Sequence, residues 1–294
     1  MKQTMRMLLS TTTAILIALL VVEVAYPWLG VSSYRIEVDL SFGATTERTI
    51  VVTNVSDSSK LVEPSVCGLR LRPAGDLVWL SPNGKDARGN VYEYGAVSAL
   101  LEINPAEVTL PAGSSAEFTV RILAPGKYTE GAPAGRVGAL LFTASQIGVA
   151  GQESPLFESS FRVVTFLLIR FNEHQQLEVH LRETEIQQRS TDELRFSARM
   201  ENTGNVHLSP QGQILVRDML TEQVIAELEL SEGTLLPECE RVYYCDWDYP
   251  EGLTGTFEAM YVISCGDDQG SELVTTCAFE MLEGKLKREK ASEG

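Results

Sequence analysis

The residues able to do chemistry are few and scattered. The chain has three histidines and five cysteines in 294 residues. His174 and His180 share strand parity, but Glu178 and Arg182 surround them, and His207 reads as a loop residue. No Gly-x-Ser-x-Gly elbow and no phosphate-cradling glycine loop with a lysine occurs, so no catalytic set is expected. Cys67, Cys239, Cys245, Cys265 and Cys277 have spacings that match no zinc motif. Cys239 and Cys245 lie on one expected strand, roughly 20 Å apart, too far to bridge each other. Other pairings in the second half stay open. Asp246, Asp248, Asp267 and Asp268 lie near strand ends, but without EF-hand spacing, and Asp267-Asp268-Gln269-Gly270 reads as a hairpin turn. Asn54-Val55-Ser56 fits the glycosylation acceptor pattern. No metal and no cofactor is expected, and the chain is not expected to be an enzyme.

What remains is binding chemistry. Two arginines on strands, Arg35 and Arg162, suit a carboxylate, which a guanidinium holds through charge-assisted hydrogen bonds. The stretch "FRVVTFLLIRF", Phe161 to Phe171, is apolar on both faces. Phe161, Val163, Thr165, Leu167, Ile169 and Phe171 share one face; Arg162, Val164, Phe166, Leu168 and Arg170 share the other. A sandwich strand with one wet face alternates apolar and polar residues. A doubly apolar strand at a sheet edge offers both backbone groups and apolar side chains to an incoming strand. The bland alternative is burial of its second face against the second domain or an inserted strand. The candidate partner-binding residues are therefore Arg35, Arg162, Val164, Phe166 and Leu168.

The elements that position these residues read almost entirely as strands. "YRIEVDL" alternates Ile36, Val38 and Leu40 with Arg35, Glu37 and Asp39. "RTIVVTNVS", "LVEPSVCGLRL", "DLVWL", "AEVTLPAGSSAEFTVRIL", "GRVGALLFTAS" and "FRVVTFLLIRF" follow, separated by turn signals; "SPNGKDARGN" reads as a polar loop. Short strands with frequent turns indicate a sandwich, and no long segment has helical periodicity. A second sandwich starts near Asn172. Its strands are "QLEVHL", with Leu177, Val179 and Leu181 inward, "ELRFSARME", "GQILVRD", "QVIAELEL", "RVYYCDWDY", "GTFEAMYVIS" and "ELVTTCAFEM", the immunoglobulin-like count of about seven. "NTGN", Asn202 to Asn205, is the corner after the second of these, where Asn and Gly tolerate positive φ. Both halves share a plan: a strand, an Asn-containing turn, and a Leu-Pro punctuation ("TLPAGSSAEFTV", "LLPECERVYY") before a long strand.

The expected fold class is all-β, two immunoglobulin-like sandwiches after an N-terminal signal or anchor segment. The expected domains are 1–30 (signal peptide or anchor), 31–171, 172–283, and a polar tail at 284–294. Lys2 and Arg6 precede an apolar core, Ala14 to Val22, of export-signal proportions. Export implies a periplasmic or cell-surface location. If the segment is not cleaved it is the only expected membrane contact. Net charge is -16. Gly30 to Ala150 holds 10 Lys and Arg against 12 Asp and Glu, whereas the remainder to Gly294 holds 12 against 27. So acidic a second half repels phosphate, and nucleic acid is not an expected partner.

Taken together, "SSYRIEVDL", "RTIVVTNVSDSS" and "INPAEVTLPAGSSAEFTVRILAP" resemble the periplasmic pilus-assembly chaperones, over roughly residues 32–171. The resemblance implies two sandwiches that hold a fibre subunit by strand addition, and a basic residue on the first and last strands of domain one clamping the subunit's C-terminal carboxylate. Arg35 and Arg162 occupy those strands. Where these chaperones carry a "DRE"-type motif after Leu-Pro, this chain reads Pro111-Ala112-Gly113-Ser114-Ser115. The following "GKYTEGAPAGRVGALLFTAS" looks more like the tandem-sandwich extracellular proteins that interact with WxL-type surface proteins, which normally end in an anchor. The expected function is therefore a non-enzymatic, chaperone-like binding protein for an exported subunit or surface protein. The alternatives are an envelope-tethered spacer, and a carbohydrate module built on Tyr243, Trp247, Tyr249 and Tyr261.

Overall fold

In a computed structural model of the chain, residues 28–146, 160–265 and 271–291 are described. The apolar segment Ala14 to Val22 and the pair Asp267-Asp268 lie outside them. Every major element is a strand, and the strands form two separate pairs of sheets, as the alternating patterns require.

The first sandwich faces a four-stranded sheet against a larger one. The smaller sheet takes β1 (Leu29–Val31), β3 (Thr45–Asn54), β10 (Ser115–Leu123) and β8 (Leu101–Asn104) in the order β1-β3-β10-β8. The larger takes β2 (Arg35–Leu40), β4 (Lys60–Leu71), β5 (Leu77–Leu80), β11 (Gly135–Gln146) and β12 (Ser160–Phe171) in the order β2-β12-β11-β4-β5, with β9 (Val108–Leu110) also on β4. On β2 the alternation is kept: Ile36, Val38 and Leu40 are buried and the residues between them exposed. They meet Ile50, Phe118, Phe142 and Leu167 in a continuous apolar core. Each such fully buried side chain contributes about 1.5–3 kcal/mol of burial free energy.

The "SPNGKDARGN" region is not a plain loop. It contains β6 (Asn83–Lys85), which pairs with β7 (Val91–Ala96) in a short hairpin. Polar turn residues hide the pairing in the sequence. The hairpin folds so closely over β4 that Gly68 and Gly95 meet backbone to backbone.

The second sandwich sets β13 (Val179–Gln188), β14 (Glu193–Asn202) and β17 (Cys239–Asp248) against β15 (Gln211–Asp218), β16 (Val224–Glu229), β18 (Gly255–Cys265), β19 (Ser271–Leu282) and β20 (Lys285–Ala291). Two boundaries differ from expectation. Leu177 precedes β13 and is exposed. The polar segment after Glu283 is a strand rather than a tail. Glu283 and Gly284 both have positive φ, the two-residue turn that suits a tight hairpin, and β20 pairs with β19. Gln188 and Tyr249 both donate to the Gly284 carbonyl, and Leu286 packs on the core.

The corner at "NTGN" is held by one carboxamide. Asn202 is fully buried; its Nδ2 donates to the Val206 and Leu235 carbonyls, and its Oδ1 accepts from Gly204 N. Asn54 does the same at the end of β3, donating to the Leu110 and Pro111 carbonyls and accepting from Ser56. The shared plan of the two halves is thus physical: an asparagine at a strand end ties the corner to the Leu-Pro segment or its equivalent. It also removes Asn54 from any glycosylation chemistry in the folded chain, because its amide nitrogen is buried and committed.

Candidate partner-binding cleft

β12 carries the doubly apolar stretch, and its two faces bury against different things. Leu167, Ile169 and Phe171 join the core of the first sandwich. Leu168 joins a second cluster with Cys67, Leu69, Val137 and Tyr94, which Leu236 and Cys239 of the second sandwich complete; Val164 and Phe166 pack at its margin. The outer face is apolar because it is the floor of a seam between the two sandwiches.

β12 is an edge over only part of its length, a correction to the sequence reading. β2 pairs parallel to it from Phe166 to Phe171, and β11 runs along its other side from Ser160 to Arg170. Phe166 N donates to Tyr34 O, toward the β2 side. Successive residues alternate direction, so the backbone N–H and C=O of Arg162 and Val164 point the same way. There no strand among the described residues is hydrogen-bonded to it, although the chain around β1 packs alongside, with Trp28 against Phe161.

Farther along β12, beside Phe166 and Leu168, lies a cleft of about 270 Å3. Leu69, Leu71, Val137, Phe166 and Leu168 form one wall, and Gly233, Thr234 and Leu236 the other. Two cations line it, Arg35 and Arg241. Arg35 pairs with Glu37 at the exposed rim. Arg241 donates to Thr234 O at 3.1 Å and lies over the Tyr243 ring at 5.4 Å, with no ion pair to a carboxylate among the described residues. The structure thus brings Arg35, Phe166 and Leu168 together. Arg162, opposite Thr143 on β11 and exposed, and Val164 lie farther along the strand. Arg241 was missed by sequence reasoning; the only local signal was a cation just after the second Leu-Pro segment.

The seam is polar at a few points. Tyr94 Oη lies 3.4 Å from Cys239 Sγ, both buried. Val242 N donates to Pro73 O, tying β17 to the β4–β5 turn. Burial, with the neighbouring Cys239 thiol adding to it, pushes the Tyr94 phenol well above its usual range.

The remaining candidates separate. His174 stacks on Tyr128 at 4.0 Å, while His180 faces Glu178. Asp246 is held by Nε and Nη2 of Arg195, which keeps its carboxyl below the usual range. No group of three metal-ligating side chains occurs among the described residues. Tyr243, Trp247, Tyr249 and Tyr261 are all buried, which removes the sugar platform.

All five cysteines are buried thiols. Burial pushes the Cys67 and Cys265 thiols up to about 11 and Cys245 to about 12. At pH 8 a shift from 9 to about 11 lowers the thiolate fraction about a hundredfold. Native protein is therefore expected to consume less than one equivalent of iodoacetamide per chain in the time free cysteine reacts fully, and five in denaturant. Rapid labelling of Cys67, Cys245 or Cys265 in the native state would contradict the burial.

No family model and no curated protein matches the sequence. Solved structures similar to it include a chaperone–tip adhesin complex of CFA/I fimbriae (12% identity, TM-score 0.41, covering 84% of this chain and 97% of that one). Others are the class 5 fimbriae chaperone CfaA (13%, 0.40, 84% and 98%) and the E. coli chaperone DraB (12%, 0.38, 90% and 95%).

Proposed function

We propose that this chain is an exported, non-catalytic binding protein that holds an extended segment of another exported protein. The segment adds as a strand to β12 beside Arg162 and Val164, and its end enters the cleft between Arg35 and Arg241. Residues 31–171 form the domain that receives the strand; the domain from 172 onward supplies the far wall. One observation carries the reading: Arg162 and Val164 point backbone groups away from β11 with no strand among the described residues paired to them, and farther along the same strand Phe166 and Leu168 line a cleft with apolar walls and two cations. A strand's unpaired groups are satisfied most completely by another strand.

Val164→Pro tests this. Proline removes the outward N–H without touching the β11 ladder, and residue 163 is already extended, as a residue before proline must be. Val164 is half-buried at the seam, so a loss of about 1 kcal/mol in stability is expected. Co-purification of specific envelope proteins from the exporting host should fall at least tenfold. Retention of the same proteins by a folded Val164→Pro variant would refute strand addition and leave the spacer reading.

A further inference from the structure

His207 lies in the seam and not on an exposed loop. It is 4% exposed, and its Nδ1 has no hydrogen-bond partner among the described residues. The ring reaches across from the second sandwich to the start of β11, where a Cβ built on Gly135 would stand 3.6 Å from that Nδ1. Around it are charges from the first sandwich: Arg170 on β12, and Arg35, Glu37 and Asp39 on β2. Arg170 already binds Asp39 through Nε at 2.6 Å and Nη2 at 3.2 Å, and Arg35 binds Glu37. Arg136 of β11 turns toward the Pro133 and Gly135 carbonyls. The loop from Thr203 to Ser209 carries no charge of its own.

A proton on this imidazole would need an acceptor at Nδ1, where none lies among the described residues, and would place a second cation beside Arg170. The two nearby carboxylates already serve arginines. A buried charge without a partner is among the costliest features a fold can carry.

We propose that His207 is an acid-sensitive latch: on protonation the two sandwiches part along the Leu236–Cys239 seam while each keeps its own core. The same parting dismantles the cleft, because Leu236 and Arg241 form its far wall. Nothing in this response depends on what the cleft holds.

The sign follows from the ring's chemistry. Burial, with Arg170 adding to it, lowers the imidazole from 6.5 to about 4 in the closed state. A ring exposed by opening regains its ordinary value. The closed seam is therefore fully stable above pH 6.5 and is progressively lost as pH falls from there toward 4. At pH 5 the open-to-closed ratio should be about 30-fold higher than at pH 7.5 or above.

The chain carries its own reporters. Cys67 and Cys239 lie in the seam, whereas Cys245, Cys265 and Cys277 lie in the core of the second sandwich. Full-length protein is treated with 4,4′-dithiodipyridine at pH 7.5 and pH 5, and each thiol is scored by peptide mass spectrometry against N-acetylcysteine at the same pH. The expected result is a rise of about 30-fold at Cys67 and Cys239 alone. His207→Gln, and His207→Leu as an apolar replacement should the first not fold, should abolish the pH response. Three results would overturn the latch: an unchanged seam at pH 5, the same rise in both variants, or all five thiols responding together.

Discussion

Asn202→Ala lowers the unfolding free energy by about 2–4 kcal/mol, an effect far larger than a small polar-to-apolar change at a loop would suggest. The side chain is fully buried and makes three hydrogen bonds to backbone. Two of the backbone groups keep another partner, since Leu208 N also reaches Leu235 O and Gly204 N also reaches Glu178 O. The Val206 carbonyl has no such reserve among the described residues. Stranding a buried carbonyl costs about 1–3 kcal/mol, and the remaining bonds add about 1 kcal/mol each, reduced where a second partner compensates. Asn202→Asp should be worse at neutral pH, because a carboxylate then faces two carbonyl oxygens in a dry site. Asn54→Ala in the first sandwich should cost a similar amount and add independently, the two sites sharing no partner. Denaturant titration of the parent, the three single variants and the Asn54→Ala/Asn202→Ala double variant decides it. An Asn202→Ala variant within 1 kcal/mol of the parent would mean that the corner is held by its glycine and turn geometry, not by the carboxamide.

The same asparagine marks how far the sequence reaches. The strand before it alternates cleanly, the polar run after it breaks the alternation, and both facts are local, so the corner could be read from neighbouring residues alone. What the carboxamide bonds to, the carbonyl of Leu235, is remote in sequence and could not. β12 shows the same division. Its inner face, from Phe161 to Phe171, was legible from parity. Whether its outer face was an open edge or a buried one depended on strand order and on where Leu236 and Cys239 come to rest. Arg162 has the right parity for a cleft cation, yet lies one strand-length step too far along β12. Arg241, which reaches the cleft, belongs to a strand that meets it only once the second sandwich has docked. β20 was missed for a different reason: its charged residues conceal a strand that a Glu-Gly turn and one leucine suffice to fold back.

The seam's other support is a close approach that leaves no room for a methyl group. A Cβ on Gly68 would collide with the Gly95 carbonyl oxygen, and would stand 2.9 Å from the Gly95 carbonyl carbon and 3.1 Å from its Cα. Both sides are backbone, so no rotamer change can relieve the contact; one strand has to move. The one free to move is β7, held in a two-stranded hairpin, whereas β4 is paired with both β11 and β5 in the middle of a sheet. Tyr94 precedes Gly95, so a displaced β7 withdraws the phenol that sits against Cys239. Gly68→Ala should therefore cost about 3 kcal/mol or more, within the range for overpacking and at its upper end because backbone must shift. It should also make Cys239 alkylate faster at pH 7.5 than Cys245 does. Gly30→Ala is the control, since nothing lies within 4 Å of a Cβ there, and it should stay within about 0.5 kcal/mol of the parent. If Gly68→Ala unfolds at the parent's denaturant midpoint with Cys239 still protected, the hairpin is not pressed against β4, and the seam must owe its closure to its other contacts, Leu236 against Leu168 among them.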